Sequence, residues 1–264
     1  MKSQVILFME KSFVLSGGDL RTPCILTVPD GLPVQRIVLG VHGIGGSSSD
    51  AIQTGITEEM SMFSAAAVRF DFPCHGENPS DSLTVRGCVD TLLTVARWAR
   101  SQFPHVEDLC IFATGFGAYI TLVALEELTA MPGRIKLVVQ TPSVLMHETL
   151  LAIKGLTPPT LAAMGKVTYR ADRPFDVTYD FYCDLRDNIV LAAQPIPMLI
   201  LHGEEDAYIR PEAIQNFRRL NEQSKLVIIP GTSHRFLEEG AWDMVLDLTR
   251  DWFEFEQVLC CDWE

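Results

Sequence analysis

The chain has 264 residues, 47% of them hydrophobic, enough for one large α/β domain with a substantial core. A formal net charge of −13 weighs against nucleic acid and anionic membranes as partners, because both reward clustered Lys and Arg. The seven cysteines are odd in number, scattered and without a CxxC pair, a pattern of reduced structural thiols in a cytoplasmic protein rather than of zinc ligation; the adjacent Cys260 and Cys261 are read the same way.

The first thirteen residues hold one short apolar run, 5–9, between Lys2 and Glu10, too short and wrongly flanked for a signal peptide. No later stretch is long enough to span a membrane. Short continuous runs rich in Val, Ile and Leu then recur at 36–41, 65–70, 109–113, 135–139, 198–201 and 226–229, which is how strands buried on both faces read. Between them, 84–102 has helical spacing behind a Thr84 cap, 116–128 is a second apolar helix, and Trp242, Val245, Leu246, Thr249, Trp252 and Phe253 mark a last one that packs on the core. The alternation predicts an α/β fold, a doubly wound, mostly parallel sheet with helices on both faces. No linker or repeat divides the chain, so residues 1–264 form a single domain. Residues 141–194 depart from the rhythm: they carry prolines, a polar hairpin-like stretch at 166–178 and a helical one at 179–187. That is too much chain for one crossover, and it reads as a small lid over the carboxyl ends of the strands.

The run Leu109-Cys110-Ile111-Phe112-Ala113-Thr114-Gly115-Phe116-Gly117 is a strand turning tightly into a helix, with small residues two before and two after Gly115. This is the shape of a nucleophile elbow, whose tip is held in a strained backbone conformation, with glycine where the serine is expected. Thr114 cannot replace it, because the neighbouring side chain on an elbow points away from the tip.

These residues resemble the α/β-hydrolase fold, and within it the small-lid esterases and serine-aminopeptidase-like hydrolases, over most of the chain. His42-Gly43-Ile44-Gly45-Gly46 resembles the oxyanion loop, and Asp71-Phe72-Pro73-Cys74-His75-Gly76-Glu77-Asn78 the family's Asp-x-x-Gly-x-Gly-x-Ser turn, from which Cys74 and Asn78 depart. His202-Gly203-Glu204-Glu205-Asp206 resembles the strand end that delivers the acid, and Gly231-Thr232-Ser233-His234 the loop that delivers the histidine. The resemblance implies that Asp206 orients His234, that the amides of Ile44 and Phe116 form an oxyanion hole, and that Gly115 stands at the nucleophile position. His42 and His75 are read as turn-stabilising, Asp71 as bonding its own turn, and the serines at 47–49 as solvated turn; the Cys74 thiol is the alternative nucleophile.

Without the serine the covalent route is closed, and three readings stay open. His234 activates water as a general base in a small-ester, amide or acyl hydrolase; the pocket binds its ligand without turnover, as a pseudoenzyme with an incomplete triad; or the pair serves a non-hydrolytic lyase or a cofactor-free oxygenase. Gly43, Gly45, Leu145, Met146 and Phe181 are candidate contacts for a small-molecule ligand, with ordinary lid packing as the alternative for the last three. No metal cluster or nucleotide-binding glycine loop is present in the sequence, so no cofactor is implied.

Overall fold

The computed structural model describes residues 8–17, 20–171 and 173–254; Cys260 and Cys261 lie outside them. Two antiparallel strands come first, β1 (Phe8–Gly17) and β2 (Leu20–Pro29). They escape a search for apolar runs because β1 is an edge strand exposed along most of its length and β2 interleaves Arg, Thr and Pro with its apolar residues. The chain continues through β3 (Arg36–Val41), α1 (Ala51–Ser61), β4 (Ala65–Phe70), α2 (Val85–Gln102), β5 (Asp108–Thr114), α3 (Gly115–Val123), α4 (Leu125–Thr129) and β6 (Arg134–Gln140). An insertion follows: α5 (Met146–Lys154), α6 (Pro158–Met164), the antiparallel pair β7 (Lys166–Tyr169) and β8 (Phe175–Thr178), and α7 (Tyr179–Asp187). Last come β9 (Met198–Gly203), α8 (Pro211–Leu220), β10 (Lys225–Ile229) and α9 (Ala241–Phe253).

The main sheet has the order β1-β2-β4-β3-β5-β6-β9-β10, and from β4 to β10 every pairing is parallel. Strand periodicity divides its side chains between two cores. Ile37, Leu39, Ile111, Ala113, Val139 and Ile200 face α2, α3 and α8, whereas Val38, Cys110, Phe112, Val138 and Leu201 face α1 and α9. The sheet is therefore doubly wound, as the burial of all six residues in β4 and in β9 requires.

Each predicted strand run and the 84–102 helix lie within or beside an observed element, and the Thr84 hydroxyl accepts the Gly87 N–H at 3.0 Å as its cap. The predicted helix over 116–128 is instead two, divided at Ala124 (φ −82°, ψ −3°). The division is slight, since Ala124 N–H still donates to Ile120 and Leu128 N–H to Ala124. Among the described residues α1, α5, α6 and α8 had no counterpart in the sequence reading. Cys24, Cys74, Cys88 and Cys110 are free and buried, and Cys183 is half-buried. Among the described residues no helix is long and apolar enough to cross a membrane.

Candidate active site

The tip between β5 and α3 is built by two glycines with different constraints. Gly115 has φ +48°, in the left-handed region that L side chains rarely adopt, and a Cβ there would meet nothing within 4 Å. At Gly117 a Cβ would stand 2.3 Å from the His42 carbonyl oxygen and 2.7 Å from that of Val41, so α3 can lie on the end of β3 only if this residue has no side chain. The Thr114 hydroxyl turns away from the tip, 3.4 Å from Gln53 Nε2 on α1 and 3.5 Å from the Val41 oxygen. Phe116 is in the first turn of α3, where helix amides have no intrahelical acceptor, and its ring is buried.

Two strands away along the same carboxyl edge, the turn after β9 and the loop after β10 are joined by backbone bonds. Glu204 N–H donates to Ile229 at 3.1 Å and Glu205 N–H to Thr232 at 3.0 Å. This stitching brings His234 Nδ1 to 2.7 Å from Asp206 Oδ2. The other carboxylate oxygen of Asp206 accepts the N–H groups of Tyr208 and Ile209 at 2.8 and 3.0 Å, and the side chain is wholly buried. Burial opposes its charge, but the His234 hydrogen bond and charge, with the two amides, outweigh it and hold the carboxyl below its ordinary range. An ionised carboxylate only accepts, so Nδ1 of His234 carries a proton toward Asp206, and whenever the ring is neutral its lone pair is on Nε2. Tyr208 packs edge-on to the His234 ring with centroids 5.3 Å apart. A second imidazole approaches the same carboxylate: buried His202 has Nδ1 3.9 Å from Asp206 Oδ2 and without a hydrogen-bond partner.

The loop over residues 42–46 is fixed from beneath. His42 Nδ1 lies 2.8 Å from the Gly43 oxygen and its Nε2 accepts the Phe72 N–H at 3.1 Å, which assigns the Nδ1–H tautomer. Asp71 accepts the Glu77 N–H within its own turn at 2.8 Å, and also the Ser48 N–H at 2.7 Å, tying the turn to the loop. Ser48 is buried at this junction, unlike the solvated residue expected, while Ser47 is half-buried and Ser49 exposed. His75 Nδ1 bonds the Pro73 oxygen at 2.8 Å, so both histidines stabilise turns. Burial pushes the Cys74 thiol up to about 11, an environment that disfavours the thiolate a nucleophile requires.

Burial, then the neighbouring His42, pull the His75 imidazolium down to about 3. Its folded value is depressed, so between about 6.5, the ordinary histidine value, and 3 the unfolded chain binds the extra proton and stability falls as pH falls. Imidazole resonances of His75 followed by NMR are expected to stay those of the neutral ring down to about pH 4.

Of the proposed ligand contacts, Gly43 and Gly45 are partly exposed on the loop, as is Ile44 of the expected oxyanion hole, and Leu145 lines a cavity of about 110 Å³ together with Tyr208, Ile209 and Arg210. Met146 and Phe181 are 1% and 3% exposed within the large core, so in this structure they present almost no surface to a ligand, and packing describes them. The residues that do reach the loop were missed. Tyr169 and Phe175 face each other across β7 and β8 and stack with centroids 5.2 Å apart. Phe175 continues to His75 at 4.6 Å, and the Tyr169 ring lies 2.6 Å from where a Gly45 Cβ would stand. Their signal in the sequence is an aromatic pair flanking the polar tip of a hairpin. Among the described residues no cluster of His, Cys, Asp and Glu could hold a metal ion.

A family model described as the alpha/beta hydrolase family matches residues 38–248. The chain belongs to the alpha/beta hydrolase family. Its fold is shared with Est1E from Butyrivibrio proteoclasticus, solved with ferulic acid bound (TM-score 0.76, 18% identity, 92% of this chain and 98% of that one). It is shared likewise with a soluble variant of monoglyceride lipase from Saccharomyces cerevisiae (TM-score 0.76, 14% identity, 96% of each chain). A third hydrolase-fold likeness is alpha/beta hydrolase domain-containing protein 10 from mouse (TM-score 0.75, 13% identity, 92% and 98% covered). No curated protein matches this alpha/beta hydrolase by sequence.

Proposed function

We propose that this protein binds a small ester, amide or acyl compound over Gly115, beneath a lid formed by residues 141–194, and that His234 acts on it as a general base through water. The observation that carries the reading is the 2.7 Å contact of His234 Nδ1 with buried Asp206, which leaves Nε2 basic on the edge of the sheet that also carries the open tip at Gly115. The triad is incomplete, so the nucleophile is a water in the space a serine side chain would fill. Nε2 takes one proton from that water as its oxygen attacks the acyl carbon, and Asp206 stabilises the imidazolium that forms. The amides of Ile44 and Phe116 receive the developing oxyanion, and the proton passes from Nε2 to the leaving group as the tetrahedral intermediate collapses. Ferulic acid bound to Est1E and the likeness to a monoglyceride lipase support an acyl ligand, and exposed Tyr208 beside His234 and half-buried Tyr169 beside Gly45 support an apolar one.

The test is turnover of a panel of nitrophenyl esters by the protein and by its His234→Ala variant. Loss of the base is expected to lower kcat/KM by about 10²- to 10⁴-fold. Equal rates would remove His234 from the chemistry, and no turnover by the protein itself, with saturable binding of the same esters, would make it a binding protein.

A further inference from the structure

The edge of the sheet opposite Asp206 and His234 carries an open cleft of about 480 Å³, where β5 and β6 begin. Its walls are mostly apolar, from Pro104, Val106, Met131 and Pro132, and its cations are Arg97 and Arg100 in the last turns of α2. Arg100 bridges the two strand starts, donating from Nη1 to the Glu107 oxygen and from Nη2 to the Arg134 oxygen, both at 3.2 Å. These are neutral acceptors. The nearest buried acid, Asp108, is shared among other cations: it bonds Arg134 at 2.7 Å and lies within 4.0 Å of Arg36 and Lys136. Glu107 lines the cleft too, but it is exposed, and among the described residues no carboxylate forms an ion pair with Arg97 or Arg100.

We infer that this cleft binds a small amphipathic carboxylate, its head on the Arg97 and Arg100 guanidinium groups and its apolar body against Val106 and Met131. A carboxylate matches the guanidinium fork and supplies the anion these two side chains lack, whereas a neutral amphiphile leaves them as they are. Burial already holds the Arg100 guanidinium below its ordinary value, with only distant help from Asp108, so a bound anion relieves a cost present in the folded chain. The volume is that of small-ligand pockets in general. Because the chain carries a net charge of −13, the attraction is local, and binding weakens as salt screens it.

The experiment uses the full chain labelled with ¹³C at its methionine methyl groups, titrated with octanoate, octanol and octylammonium. Met131 reports on the cleft; Met146, in α5, reports on the opposite edge. Octanoate is expected to shift the Met131 methyl saturably with a dissociation constant of about 1 mM, leaving Met146 unmoved. Octanol and octylammonium bind about tenfold more weakly or not at all, and the exposed Arg97→Met variant loses a similar factor for octanoate. Met131→Trp, which fills the cleft, blocks the site without touching the arginines and is read by isothermal titration. The inference is overturned by the absence of any Met131 shift, by shifts at Met146 in its place, by equal binding of the three amphiphiles, or by octanoate binding that ignores Arg97→Met.

Discussion

Gly115→Ser is expected to raise hydrolysis of chromogenic acyl esters by about 10³-fold or more over the protein itself. The backbone already holds the left-handed conformation an elbow tip needs, with φ +48°, and the position of the new Cβ is empty to 4 Å. The substitution therefore forces no neighbour to move, and its cost is the conformational one, about 1–2 kcal/mol for a non-glycine residue at positive φ. In exchange the site gains an alkoxide precursor with a basic imidazole on the same edge of the sheet. Triad enzymes lose on the order of a million-fold without their nucleophile, and a serine placed in a site packed around glycine recovers part of that factor. Initial rates on nitrophenyl acetate and butyrate, with a burst of nitrophenol marking the acyl-enzyme, check the prediction. A Gly115→Ser variant that folds and shows neither burst nor gain overturns it.

Gly117→Ala, two residues along the same turn, is expected to cost about 3 kcal/mol or more of stability and to lower Tm by roughly 6–12 °C. The added methyl group would stand 2.3 and 2.7 Å from two backbone oxygens, of His42 and Val41, and neither can move without pulling β3 from its place between β4 and β5. Gly115→Ala is the matched control: the same methyl group in open space at positive φ costs about 1–2 kcal/mol. Thermal unfolding of the two variants side by side measures the difference. Equal losses would mean that α3 does not rest on the end of β3 as closely as described.

How far the sequence could be read follows from the physics of each part. Strands buried on both faces announce themselves as continuous apolar runs, as β3, β4, β5, β6 and β9 did, and the edge strand β10 carries the same kind of run although Ile228 is exposed. The first two strands did not, because β1 is exposed along most of its length and β2, paired on both sides, interleaves Arg, Thr and Pro with its apolar residues. The helix α8 hides for a related reason: only Ala213, Ile214 and Phe217 of its ten residues are buried, a stripe too short to stand out. In the site, Asp206 and His234 were marked by the resemblance of 202–206 and 231–234 to loops of a known family, and backbone bonds between those two turns bring the side chains to 2.7 Å. The approach of His202 to the same acid was not, since it depends on where a side chain points after β9 ends. Met146 and Phe181 were placed by position in the insertion, but burial is decided by how α5 and α7 lie on the core. Tyr169 reaches Gly45 only through the three-dimensional fold of the hairpin.

If the tip at Gly115 and the His234–Asp206 pair form one site, a serine at the tip draws on that imidazole. The most direct test compares ester turnover by Gly115→Ser with turnover by the double variant Gly115→Ser, His234→Ala. The gain made by the serine is expected to be abolished, by about 10³-fold or more, when the imidazole is removed. A double variant that keeps the gain would mean that the serine draws on some other base, and would contradict the assignment of His234 to this site.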